Sequence, residues 1–138
     1  MSITARNTDR ALLVLRIALA TVFIAHGCMK LFVMGHDGVT GFFTQIGVPL
    51  PGIAAWGVAL LEFGGGLALA AGAFTRVLAL LFVADMIGAI ALVVFKKGFV
   101  SGYELEFLLA AGSLAVALGG AGNISVDARM AARPKTDQ

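Results

Sequence analysis

A chain of 138 residues that is 59% hydrophobic and 13% charged, with mean hydropathy +0.96, lies far outside the composition of a soluble domain. Its net charge of +2 is too small to argue for a nucleic-acid partner, and the single cysteine, Cys28, rules out an intrachain disulfide or a dithiol relay. The apolar runs are continuous rather than alternating, so residues 1–138 read as one all-α domain, an integral membrane bundle of four transmembrane helices.

Residues 1–10 are polar and read as a short, loose tail. Arg6 and Arg10 precede an apolar stretch, as in a leader peptide, but Arg16 interrupts that stretch and no small-residue cleavage site follows it. The first span is expected over about 11–31 and carries Arg16, His26 and Lys30. At 100° per residue, Gly27 lies about 20° from Arg16, with Lys30 about 40° and His26 about 80° to the other side, so one face is polar and must look into protein.

Residues 32–52 predict a short interfacial helix, capped by Asp37 or Thr40, running through Gln45 and stopped by Gly47, Pro49, Pro51 and Gly52. The second span, 53–73, has Glu62 near its middle. Gly64, Ala68 and Gly72 lie at i, i+4 and i+8, which predicts a small-residue packing face. The Gly-Gly-Gly run is no phosphate loop, since it follows no strand and has no Lys-Ser/Thr after it.

The third span, 77–95, holds Asp85, and the fourth, 102–118, opens with Tyr103, Glu104 and Glu106. Trp56 and Tyr103 sit where interfacial aromatic anchors belong. Arg10–Leu19 echoes Arg76–Ala84, and Leu61-Glu62-Phe63 recurs as Leu105-Glu106-Phe107, the trace of a duplicated helical hairpin. Arg6, Arg10, Arg16, Arg76, Arg129, Arg133 and Lys135 fall on one side of the bundle, and Lys30, Lys96 and Lys97 on the other. That asymmetry predicts cytoplasmic tails at 1–10 and 123–138.

A charge at a helix centre costs about 2.5–3.5 kcal/mol on insertion scales, so several together require partners or a wet cavity. Helical rise puts Arg16 about 8 Å, Asp85 about 12 Å, Glu62 about 16 Å and His26 about 22 Å from the end carrying the termini. Matching depths pairs Arg16 with Asp85, Lys30 with Glu106 or Glu104, and Glu62 with His26 or a water. Such pairs would lock the helices in register, and Lys30 would otherwise snorkel. Glu62, deepest and without an evident cationic partner, is the candidate for catalysis, by proton transfer or by a hydrogen bond to a carbonyl or phenol. Arg16, His26, Lys30, Glu62, Asp85, Glu104 and Glu106 are the candidate ligand-binding residues. One intramembrane histidine cannot form a bis-His haem site, and no metal site is expected.

The ordered set of an Arg in the first span, Gly27 and Lys30 at its end, Gly47-Val48-Pro49-Leu50-Pro51, Glu62 before glycines, Gly72 to Thr75-Arg76, Gly102-Tyr103-Glu104 and Gly119 to Ser125-Val126-Asp127 resembles the DoxX family of small four-helix membrane proteins. The resemblance covers about 10–128, and its polar signature falls on Arg16, Lys30, Glu62, Arg76, Glu104 and Asp127. It implies a bacterial inner-membrane bundle associated with quinone-linked oxidation of sulfur compounds and with oxidative stress. Family members often carry His near the end of the third span, where this chain has Val93, Val94 and Phe95.

The leading expectation is therefore a quinone-associated redox accessory with no covalently bound cofactor. It would hold a quinone or another small lipophilic ligand near Glu62, with Arg16, His26 and Lys30 facing it. The partners expected are the lipid bilayer, a soluble or membrane redox protein and further copies of the chain. Two other classes compete: a proton-coupled transporter of hydrophobic compounds, and a scaffold that recruits a soluble enzyme through the basic tail.

Overall fold

The computed structural model describes residues 2–132, which are helical and contain no strand. Four helical stretches among them are long and apolar enough to cross a membrane: Ile3–Gln45, Pro51–Ala71, Thr75–Lys97 and Phe99–Gly119. Leu60, Leu80, Ile87, Leu108 and Leu118 are each more than half exposed on the outside of the bundle, as a lipid-facing surface requires.

Helix α1 (Ile3–Cys28) begins earlier than expected. Ser2 caps it by accepting from the Ala5 amide, so most of the supposedly loose tail is the first turns of the helix. A wide π-turn, Met29–Met34, prolongs α1. Gly35 (φ 69°, ψ 168°) then redirects the chain into α2 (Gly35–Gln45). The expected short helix is thus present and ends where predicted, although neither Asp37 nor Thr40 caps it. Its Val39 and Phe43 pack on Ala55, and His36 stacks on Trp56 with ring centroids 5.0 Å apart. Trp56 and Tyr103 remain partly exposed at the span ends, Tyr103 stacked against Phe95.

The second span runs through α3 (Pro51–Leu60), a π-turn (Leu61–Gly65) and α4 (Gly66–Ala71). The small-residue face differs from the expected one. Gly64 is exposed with open space beside it, whereas a Cβ on Gly66 would lie 2.8 Å from Ile24, and one on Gly27 would lie 2.7 Å from the Phe63 Cα. The π-turn rotates the helix between Gly64 and Ala68, so Gly65 and Gly66 face inward in place of Gly64. Close approach is therefore between Gly27 and Phe63 and between Gly66 and Ile24, while Gly72, of the expected face, is tight as well, a Cβ there lying 2.7 Å from Arg16 Nη1.

Helix α5 (Thr75–Ala89) continues in a π-turn (Ile90–Val94), and α6 (Glu104–Gly119) follows a broken turn in which Ser101 takes a left-handed conformation (φ 57°). The common core is Leu19, Phe23, Leu69, Ala79, Phe82 and Val116, with the Phe23 and Phe82 rings stacked at 3.8 Å. A last short helix, α7 (Val126–Ala131), returns to the end of the bundle where α1 begins. Arg133 and Lys135, counted in the charge asymmetry, lie outside the described residues, as does the rest of the expected tail beyond residue 132.

Candidate functional site

The intramembrane polar residues separate into two groups at different places in the bundle. The first is centred on Arg16, which is 1% exposed. Its guanidinium donates to the carbonyls of Ala121, Ala70 (3.2 Å) and Ile124 (3.0 Å). The expected Arg16–Asp85 pair does not form. Depth alone suggested it, but the 119–125 segment folds back over α1 and offers main-chain oxygens that no residue identity announces. Around this clamp, Asp9 accepts from the backbone amide (3.0 Å) and side-chain amide (2.8 Å) of Asn123. Ser125 caps α7 by accepting from the Ala128 amide at 3.1 Å.

Asp127 accepts from the Phe74 amide at 2.8 Å and the Thr75 amide at 2.9 Å, and its own amide donates to the Gly72 carbonyl at 2.9 Å. These bonds fasten the tight turn between the second and third spans, where Gly72 (φ 72°) and Phe74 (φ 51°) are both left-handed. For a bulky residue such as Phe74 that conformation is a true outlier, tolerated where surroundings fix it. Burial pushes the Asp127 carboxyl up, but the Thr75 and Phe74 hydrogen bonds and the Arg16 charge outweigh it and hold the group below its ordinary value. A recess of about 480 Å³ at this end is lined by Asp9, Arg76, Asn123 and Asp127, and its two carboxylates are already bonded to the protein.

The second group lines a partly open cavity of about 370 Å³ between α1 and its π-turn, α2 and the loop after it, the second span, α5 and its π-turn, and α6. That size suits a small organic ligand. Lys30 and Glu62 form an ion pair at its wall, Nζ to Oε2 at 2.5 Å, with the Glu62 side chain 5% and the Lys30 side chain 17% exposed. Both residues sit on π-turns, which widen the helix and turn their side chains toward one another. Glu62 therefore has the strong cationic partner it was expected to lack, and Lys30 is bound to Glu62 rather than to Glu104 or Glu106.

His26 lines the same cavity, but its Nδ1 lies 3.1 Å from the Val22 carbonyl of its own helix and the expected contact with Glu62 is not formed. A carbonyl only accepts, so the neutral ring carries its proton on Nδ1 and leaves Nε2 as an acceptor. Asp85 on α5 and Glu106 on α6 also line the cavity, and Asp85 Oδ2 and Glu106 Oε2 are buried without a hydrogen-bond partner. The remaining walls are apolar, among them Phe43, Ile46 and Val48 from α2 and its following loop, and Leu92, Val93 and Leu109.

Of the seven candidate residues, the structure brings five together: His26, Lys30, Glu62, Asp85 and Glu106. Arg16 belongs to the clamp at the other end. Glu104 is exposed and accepts from the Ser101 amide at 3.1 Å, outside the cavity lining. Sequence reasoning gave Asp9, Asn123 and Ser125 no role. The one available signal was Ser125 followed by Val126-Asp127, a helix-capping pattern just past the glycines that end the fourth span. Among the described residues no group of three His, Cys, Asp or Glu side chains could hold a metal ion.

The family model described as DoxX matches residues 11–95, a stretch holding Arg16, both partners of the Lys30–Glu62 pair, and Asp85. A Bacillus subtilis (strain 168) protein named "Putative oxidoreductase CatD" is 35% identical over 115 residues, 83% of this chain and 83% of that protein. "Inner membrane protein YphA" of Escherichia coli (strain K12) is 36% identical over 77 residues, 56% of this chain and 54% of that protein. No solved structure matches. With more than half its length under the family model and a relative of this identity over four-fifths of it, the chain belongs to the DoxX family of membrane proteins.

Proposed function

We propose that this protein is an inner-membrane, quinone-associated redox accessory that holds a small aromatic, lipophilic ligand in the cavity beside the Lys30–Glu62 pair. The observation that carries this reading is the cavity itself. An apolar volume of about 370 Å³ that keeps an ion pair at its wall, inside a membrane bundle, has the walls of a lipophilic site and the polar groups of a chemical one. The name of the Bacillus relative supports an oxidoreductase setting, and that of the Escherichia relative supports the inner membrane.

A quinone fits the residues present. Its ring matches the apolar lining, and a carbonyl oxygen can accept from Lys30. When bound, it would supply two-electron redox chemistry, with electrons exchanged through a partner protein. The chain's own residues bind and orient the ligand and manage its protons. An ammonium has three N–H donors, so Lys30 can bond a ligand oxygen while still holding Glu62. Glu62, with Oε2 on Lys30, is placed to take a proton from a ligand hydroxyl or return one to a ligand oxygen. α2 and the loop after it contribute Phe43 and Ile46 to the lining and would limit the entry of water. Both chain ends lie on the cytoplasmic side in this reading, from the distribution of Lys and Arg about the spans.

The test is Glu62→Gln in purified protein, titrated with a short-chain quinone in nanodiscs, alongside quinone tolerance of cells carrying the variant. About a tenfold loss of affinity or more is expected, equivalent to one strong hydrogen bond. Unchanged affinity together with unchanged tolerance would overturn the reading. Mass spectrometry of an organic extract of the wild-type protein identifies a ligand that co-purifies.

A further inference from the structure

The polar atoms of the cavity are unbalanced. Among the described residues three carboxyl groups line it, Glu62, Asp85 and Glu106, and only Lys30 brings a fixed positive charge, which Glu62 already takes at 2.5 Å. A neutral His26 would add a further acceptor, because its Nδ1 is turned back to the Val22 carbonyl. Asp85 Oδ2 and Glu106 Oε2 are buried with no donor near enough to satisfy them. A buried acceptor left unmade is costly, so whatever occupies the cavity is selected for the hydrogen-bond donors it carries.

We infer that the cavity prefers the reduced, hydroxyl-bearing form of its aromatic ligand, a benzoquinol, over the oxidised dicarbonyl form, with Asp85 and Glu106 as the residues that read the difference. The inference rests on the quinone reading above and sharpens it. A quinol hydroxyl donates to an ionised carboxyl and accepts from a neutral one, so it fits these groups in either state. A quinone carbonyl only accepts. A neutral carboxyl would donate to that carbonyl as well, so the discrimination operates where Asp85 and Glu106 are ionised: there a quinone leaves their oxygens orphaned and sets its own lone pairs beside theirs. At the other side of the cavity the two forms are more nearly equal, since Lys30 donates to a carbonyl and to a hydroxyl oxygen alike. Discrimination is therefore assigned to the α5 and α6 carboxyls and not to the ion pair. A site of this bias retains the quinol once formed and releases the quinone.

The experiment measures dissociation constants of a short-chain benzoquinol and of the matching benzoquinone, without oxygen, for wild-type protein in nanodiscs and for the double variant Asp85→Asn, Glu106→Gln. At alkaline pH, where the carboxyls are ionised, the wild type should bind the quinol about tenfold tighter or more, which raises the midpoint potential of the bound two-electron couple by about 30 mV per tenfold. In the double variant, whose amides offer N–H donors, the ratio should fall to about one or reverse. Equal affinities in the wild type, or tighter quinone binding, overturn the preference while leaving the quinone site standing. Binding of neither form overturns both. A ratio that survives the double substitution overturns the assignment to Asp85 and Glu106. The wild-type ratio decides the preference even if the variant does not fold.

Discussion

The two polar clusters in this bundle use the same kinds of residue to opposite ends. Around Arg16, charged groups are spent on backbone. Three carbonyls take the guanidinium, two main-chain amides take Asp127, and both amide groups of Asn123 take Asp9. Around Lys30 and Glu62, charged groups are paired only with each other. Arg16 Nε and Thr75 Oγ1 also lack a partner among the described residues, but only here do whole carboxyls, Asp85 and Glu106, stand beside a cavity with an oxygen left unsatisfied. Polar atoms bonded to the chain's own backbone stabilise one fold. Polar atoms left over beside a cavity cost stability and are explained by something that comes to them. By that criterion Arg16, expected among the ligand-binding residues, fastens backbone away from the cavity, and Asp85, expected as its partner, lines the cavity instead.

The comparison can be broken most forcefully at Arg16. Arg16→Met leaves three part-buried carbonyls without their donor and should cost about 3 kcal/mol, read as a fall in melting temperature in detergent. Ligand affinity per folded molecule should hardly change, and a selective loss of binding with stability intact would erase the distinction between the clusters. Gly27→Val comes next. Its Cβ would meet the Phe63 backbone, which cannot swing away, so the first and second spans must separate, at about 1–3 kcal/mol. Since Lys30 and Glu62 flank this contact, affinity should fall with stability.

At the cavity the sign should reverse. Asp85→Leu removes an unsatisfied carboxyl and should raise stability by about 1 kcal/mol while weakening ligand binding, a trade expected of functional groups and not of structural ones. The smallest effect is expected at Asp127. Its carboxyl titrates below the ordinary value in the folded protein, so its contribution is complete above the ordinary carboxylate range and is lost as pH falls through the lowered value. Melting temperature should therefore decline on acidification in the wild type. Asp127→Asn should flatten that decline and cost about 1 kcal/mol near neutrality, where one amide loses its acceptor.

Membership of the site was largely legible from spacing, and its pairing was not. Placing charges by depth treats each span as a straight α-helix, but Lys30 and Glu62 lie on π-turns, where an extra residue rotates everything beyond it. The same rotation moved the packing glycine from Gly64 to Gly65 and Gly66. Glu104 was misplaced for another reason: it begins α6, where a carboxylate bonds the preceding turn. Arg16 could not be partnered from sequence at all, because its partners are carbonyls of residues 70, 121 and 124, present at every position of any chain.

Composition by itself determined the class of this protein. Four long apolar runs can satisfy their backbones in lipid only as helices, and charges inside those runs had to face protein. Tertiary structure alone decided which charges meet. That choice depends on where the helices widen, on a Gly35 turn that lays α2 beside the cavity, and on a loop that folds back to bury Arg16. Hydropathy is a property of side chains one at a time and survives any arrangement of the spans. Hydrogen-bond partnership is a property of distances between them, and a shift of one residue in one helix is enough to reassign it.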